Sequence, residues 1–189
     1  MSDKKEIILT GFGSFGSLTS NPTEKLILSL KKRLQDELYQ FFVLPVSYSY
    51  CSSWSEENIS SSTSLVIHFG VSAKSNVIQL ERTGHNIIGE TNDIEDFRPS
   101  DKICEIGPEL IKTGLDLESL MQKMNTSGFQ CEVSDNAGDY LCNYILYKAL
   151  SIAKDRSFFV HVPPEEVLSI PDLEKFTLEL LRNLQSQVN

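Results

Sequence analysis

The stretch Ser134-Asp135-Asn136-Ala137-Gly138-Asp139-Tyr140-Leu141-Cys142-Asn143-Tyr144 joins two patterns of different period. Before it, Gln130-Cys131-Glu132-Val133-Ser134 alternates as a short strand does. After it, Ile145, Leu146, Ala149, Ile152 and Ala153 recur at the spacing of an amphipathic helix. The small, turn-forming residues between them read as a strand-to-helix connection, with Gly138 near its end and Asp139 as the expected N-cap. This junction delivers one cysteine, Cys142, into the first helical turn, where the positive end of the peptide dipoles suits a sulfur nucleophile.

A cysteine at a helix start is also a common small core residue. Asp135 and Asp139 further oppose the dipoles by placing negative charge nearby. Position alone leaves both readings open, and a nucleophile needs a partner base.

The alternation of strand and helix extends outward in both directions. Residues 6–10 read as a buried strand. Asn21-Pro22-Thr23-Glu24 supplies an N-cap, a proline at the first helical position and an acid at the third. The helix it opens is expected to run to about Glu37, with Leu26, Ile27, Leu30 and Leu34 on one face. Strands are expected at 41–46, 65–70, 76–81 and 157–162, and helices at 54–59, 117–124 and 171–184. His68, inside an apolar run, reads as a core histidine with a hydrogen-bond partner. Residues 89–114 lose all period, and so long an irregular stretch suggests a cover over a site. The pattern predicts one domain over residues 1–189, a three-layer α/β/α sandwich with a mostly parallel, mixed central sheet.

A net charge of −9 argues against a nucleic-acid binder and against docking on an anionic membrane. No apolar run is long enough to span a bilayer, and the charged start of the chain carries no export signal. The four cysteines (Cys51, Cys104, Cys131, Cys142) form no CxxC and are expected as reduced thiols in the cytoplasm.

Gly11-Phe12-Gly13-Ser14-Phe15-Gly16 spells a dinucleotide fingerprint, yet the helix signal begins only at Asn21 and the next strand lacks an acid for a ribose. No nucleotide is expected there. Two phenylalanines in a glycine loop suit the gripping of a flat, uncharged group; core packing is the other reading of each.

In a sheet of this kind ligands gather at the carboxyl ends of strands. Phe12, Phe15, Gly70, Glu81, the loop into Cys142, and His161 are all expected at that edge. Cysteine, histidine and carboxylate then supply a nucleophile, its base and the group that orients the base, for acyl transfer to water. Amides near Cys142 are expected to hold an oxyanion. His85 is the second candidate base. There is no HExxH, the three histidines are dispersed, and there is no GxSxG, so neither a metal centre nor a serine hydrolase is expected.

Four ordered motifs resemble the pyroglutamyl-peptidase I family of cysteine peptidases: residues 10–16 with Asn21-Pro22, residues 80–86, residues 137–143, and residues 159–164. The resemblance implies an α/β sandwich, cytosolic and without a cofactor, that removes an N-terminal pyroglutamyl residue (5-oxoproline) from blocked peptides through a thioester. It implies Cys142 as nucleophile, His161 as base and Glu81 as orienting acid. It also implies that Phe12 and Phe15 flank the lactam ring, with Tyr140, Leu141 and Val71 beside it and Asn21 buttressing the loop. Ser14 stands where most members have proline, and Val71 where bacterial forms have a polar residue. The acidic run 88–93 lacks the arginine of bacterial forms, leaving that role empty or to Arg82 or Arg98. The alternative function is a relative that binds pyroglutamyl-type peptides with weak turnover or none.

Overall fold

The computed structural model describes residues 6–14, 20–153 and 156–188. Along the chain the elements are β1 (Ile7–Phe12), α1 (Pro22–Arg33), β2 (Tyr39–Leu44), α2 (Tyr48–Asn58), β3 (Leu65–Val71), β4 (Ile78–Glu81), β5 (Thr83–His85), β6 (Leu110–Lys112), α3 (Leu117–Thr126), β7 (Cys131–Ser134), α4 (Leu141–Ala153), β8 (Ser157–Val162) and α5 (Ile170–Val188).

Strands β1 and β8 are buried at every position, as apolar runs in a sheet covered on both faces must be. The main sheet has the order β2-β1-β3-β8-β4-β7. β2, β1, β3 and β8 run parallel to one another. β4 runs antiparallel to β8, and β7 runs parallel to β4. The pleat sends alternate side chains to opposite faces. Ile67, Phe69, Phe158, Val160 and Leu80 pack with α1, α3 and α5 on one side. Ile8, Val66 and Phe159 pack with α2 and α4 on the other. This is the expected three-layer α/β/α sandwich. Each fully buried large side chain here, such as Phe158 or Phe176, contributes about 1.5–3 kcal/mol.

Element boundaries depart from the sequence reading where side chains compete for the backbone. α1 stops at Arg33, because Leu34 takes an extended conformation as C-cap. α2 starts at Tyr48 rather than Trp54: the Ser47 hydroxyl caps it by accepting from the Tyr50 N–H. Of its serines Ser49 and Ser53 face solvent, whereas Ser55 is buried and donates to the Cys51 carbonyl at 2.7 Å. The second strand lies two residues earlier than expected, and the closing helix runs on to Val188. Within the irregular stretch, β6 pairs antiparallel with β5.

Candidate active site

The loop into α4 is built by its own side chains. Ser134 Oγ accepts from the Asn136 N–H at 3.2 Å, and Asn136 Oδ1 accepts from the Gly138 N–H at 3.0 Å. Gly138 then turns the chain with φ +84°, a left-handed conformation open to glycine. The helix begins one residue later than an Asp139 cap would give. Tyr140 takes the cap position, its carbonyl accepting from the Tyr144 N–H at 3.0 Å, while the Asp139 carbonyl accepts from the Gly89 N–H at 2.6 Å. Cys142 is thus the second residue of α4. The first amides of a helix have no carbonyl one turn back. Among the described residues, no acceptor faces the N–H groups of Leu141 and Cys142.

His161 comes from the end of β8. Its Nδ1 lies 2.8 Å from Glu81 Oε1, and since a carboxylate only accepts, Nδ1 carries the proton. The remaining ring nitrogen is left for the Cys142 thiol, whose interaction with the imidazole is one cause of its raised pKa. Burial pushes the imidazolium down, but the hydrogen bonds to Cys142 and Glu81, and their charges, outweigh it and raise the His161 pKa to about 9. Glu81 is only 1% exposed, and its Oε2 has no partner among the described residues. A carboxylate so enclosed depends on its one charged neighbour.

Glu81 does not share the carboxyl edge of β8, as the sequence reading had it. Because β4 runs against β8, Glu81 stands opposite Phe159, and Gln79 stands opposite His161. The carboxylate reaches the imidazole diagonally across the ladder, a span open to a long side chain. The same face carries Gly70, which pairs with His161 on β3. A Cβ at Gly70 would lie 2.5 Å from the Phe159 ring and 3.2 Å from Cys142 Sγ, so the glycine leaves room for the sulfur.

Beside Cys142 lies a small pocket lined by Phe12, Asn21, Val46, Gly70, Val71, Tyr140 and Leu141. Phe15 lies outside the described residues. Asn21 donates to the Gly13 carbonyl at 3.1 Å, and its Oδ1 accepts from the Thr23 N–H at 3.0 Å and the Thr23 hydroxyl at 2.9 Å. Thr23 Oγ1 in turn accepts from the Phe12 N–H at 3.0 Å. The N-cap of α1 therefore holds the end of β1, where Phe12 sits in the strand rather than in the glycine loop expected from the sequence. Sequence reasoning missed Thr23 and Val46; the capping signal at Asn21 pointed to the first, and nothing in the sequence to the second.

Other candidates are engaged elsewhere. His85 Nε2 lies 2.7 Å from the Asp135 carbonyl. Arg82 forks onto Asp135 at 2.8 and 2.6 Å and also pairs with Glu118; with the Thr83 hydroxyl it holds the Asp135 carboxyl well below the usual carboxylate range. Arg98 binds the carbonyls of Gly89 and Ile88 together with Asp101. Neither arginine is free for an oxyanion. His68 Nδ1 meets Thr10 Oγ1 at 2.8 Å in the core, as expected of a structural histidine. Larger surface grooves, such as one of about 350 Å³ between Val77, Phe129 and Val167, lie away from Cys142.

A half-buried thiol, a buried imidazole and a buried carboxylate in a row, at a helix start on an α/β sandwich, make the arrangement of a cysteine peptidase. The comparisons with known proteins agree. The model of the pyroglutamyl peptidase family matches residues 5–180, and the chain belongs to this family. It is 34% identical over 171 residues to pyroglutamyl-peptidase 1 of Mus musculus, covering 85% of this chain and 80% of that one. It is 30% identical over 174 residues to pyrrolidone-carboxylate peptidase of Oceanobacillus iheyensis, covering 88% and 87%. The fold matches the crystal structure of pyrrolidone carboxyl peptidase from Pyrococcus furiosus with a TM-score of 0.87 over 97% of this chain and all of that one, at 24% identity.

Proposed function

We propose that this protein is a cysteine omega-peptidase that removes the N-terminal pyroglutamyl residue from blocked peptides. The observation that carries this reading is the row Cys142–His161–Glu81 beside an apolar pocket with an aromatic wall. A pyroglutamyl ring is neutral and flat, so it suits aromatic and aliphatic walls rather than an ionic anchor. Phe12, Tyr140, Leu141 and Val71 contact the ring in this reading, Asn21 fixes the end of β1 that carries Phe12, and Phe15 is assigned to the same grip by resemblance.

Cys142 Sγ attacks the carbonyl carbon that follows the lactam ring, with the proton it shares with His161 resting on the imidazole. The carbonyl oxygen, now an oxyanion, takes the N–H groups of Leu141 and Cys142 as donors. His161 then gives its proton to the leaving amine as the carbon–nitrogen bond breaks, leaving a thioester on Cys142. Water attacks the thioester and gives a proton to His161; the carbon–sulfur bond then breaks, releasing pyroglutamate, and the sulfur and His161 share that proton again. Glu81 keeps the imidazole in one tautomer and stabilises its cationic form. The four free thiols, Cys104 among them exposed, suit a reducing compartment, and we assign the protein to the cytoplasm.

A fluorogenic pyroglutamyl amide tests the reading. Turnover should vanish in Cys142→Ala and His161→Ala, and fall by roughly 10²- to 10⁴-fold in Glu81→Gln, as for loss of an orienting carboxylate. A folded wild type that binds the amide without cleaving it would overturn the peptidase and favour the binding-only alternative. No observation on the site favours that alternative now: the charge of Asp135, one of the acids flanking Cys142, is met by Arg82 and Lys112.

A further inference from the structure

Residues 92–97 wind around a single carboxylate. Asp93 is only 8% exposed, and its Oδ1 accepts from the N–H groups of Glu95 at 2.9 Å and Phe97 at 3.0 Å. Its own N–H donates to the Phe97 carbonyl at 2.9 Å, and Asp96 inside the turn adopts φ +57°, a strained conformation for a residue with a side chain. The other oxygen leaves the turn: Asp93 Oδ2 accepts from the N–H of Tyr48, the first residue of α2, at 2.8 Å. Beside it Ser47, the cap of α2, donates to Glu95 Oε2 at 2.7 Å. A carboxylate there satisfies an amide that the helix leaves unpaired and meets the positive end of its dipoles. Asp93 therefore both closes the turn and seats it on α2.

Two further bonds run from this turn to the ring pocket. The Ile94 N–H donates to the Val46 carbonyl at 3.2 Å, and the Tyr140 hydroxyl donates to the Asn92 carbonyl at 3.0 Å. Tyr48 packs edge-on against Tyr140, with ring centroids 5.7 Å apart. Val46 and Tyr140 both line the pocket. Phe12 and Asn21, which also line it, are fixed separately by the bonds around Thr23. The pocket thus has a wall set by α1 and a wall set by Asp93.

We propose that Asp93 is a positioning residue that sets the width of the ring pocket, and so restricts it to a five-membered lactam. This rests on the reading of the pocket as the pyroglutamyl site. With the turn loosened, Val46 and Tyr140 lose their outer ties and the pocket admits a larger ring.

The test compares a pyroglutamyl amide with its six-membered-ring homologue, a 6-oxopipecolyl amide, on purified wild type, Asp93→Asn, Asp93→Ala, Tyr140→Phe and the Asp93→Asn/Tyr140→Phe double variant. Circular dichroism and titration of Cys142 with an alkylating agent give the folded, competent fraction. In Asp93→Ala, KM for the five-membered ring should rise about tenfold, as expected for loss of a helix cap and its charge, with kcat moving less. Preference for the smaller ring should shrink by a similar factor, and Asp93→Asn should lie between Asp93→Ala and wild type. Tyr140→Phe should shift preference the same way. The double variant should be no worse than its worse parent, because both changes cut one path; independent effects would multiply. Unchanged ring preference in the folded Asp93 variants overturns the proposal. So does unchanged preference in Tyr140→Phe if neither Asp93 variant folds. A wild type that cleaves neither amide overturns the peptidase reading, and this proposal with it.

Discussion

Asn143 holds His85 by both of its backbone groups: Asn143 Oδ1 accepts from the His85 N–H at 2.8 Å, and Asn143 Nδ2 donates to the His85 carbonyl at 2.8 Å. The same Nδ2 donates to the Ile87 carbonyl at 3.1 Å. The residue after Cys142 thus acts as a strand partner for the segment that follows Glu81. It ties the first turn of α4 to the chain that carries the carboxylate.

Replacing this amide by a carboxylate keeps the acceptor and turns two attractions into repulsions. Asn143→Asp should lower kcat by tenfold or more and cost about 1–3 kcal/mol of stability, the usual penalty for unmet buried polar groups. Steady-state kinetics and thermal melting check both. A variant melting like wild type with unchanged kcat would show that the tie positions nothing.

The raised pKa of His161 sets a direction for pH dependence. Its folded value of about 9 lies above the ordinary 6.5, so its stabilising contribution is complete below about pH 6.5 and is lost as pH rises through 9. Activity needs the same proton for the leaving amine, so kcat/KM should fall on the alkaline side near pH 9. In Glu81→Gln, which loses one of the interactions that hold the proton, that limb should move to lower pH. An alkaline limb that stays in place would mean that the carboxylate does not tune the base.

Gly70→Ala places a methyl group against the Phe159 ring and the sulfur of Cys142. The Phe159 and His161 rings touch at a tilt of 56° with centroids 4.7 Å apart, so the base is displaced with it. Overpacking of this kind costs about 1–3 kcal/mol. The melting temperature should drop, and kcat should fall further than KM changes. Wild-type activity in this variant would mean that the added methyl group does not press on the sulfur or the base.

The four thiols should separate cleanly towards iodoacetamide at neutral pH. Cys51 is buried, which pushes its thiol up to about 12, and burial raises Cys131 to about 11. Cys104 is exposed and Cys142 is half-buried beside His161. Mass spectrometry should find label on Cys104 and Cys142 alone, with activity lost in step with Cys142. In Cys104→Ser a single label should suffice for full inactivation.

Much of this was legible in the chain, for physical reasons. The buried strands announced themselves because a run such as Leu65-Val66-Ile67 has no other place to go, and Cys142 and His161 sit at ends marked by a glycine turn and a proline pair. Strand direction was not legible. A four-residue strand like Ile78–Glu81 carries no sign of which way it runs, so Glu81 was assigned to the wrong edge while its partner was right. The starts of helices blurred where serine and aspartate side chains substitute for backbone partners, as at Ser47. Contacts such as Asp93 with Tyr48 join residues 45 apart, and no local pattern encodes them.

The position of β8 in the sheet has a temporal meaning. It is the last strand made, yet it lies between β3 and β4, which share no ladder with each other. Until it inserts, the sheet is two unjoined pieces, with Cys142 and Glu81 both already synthesised and no base to connect them. The strand that joins the two halves of the sheet is therefore the same strand that carries the base, so sheet closure and the Cys142–His161–Glu81 row depend on one element.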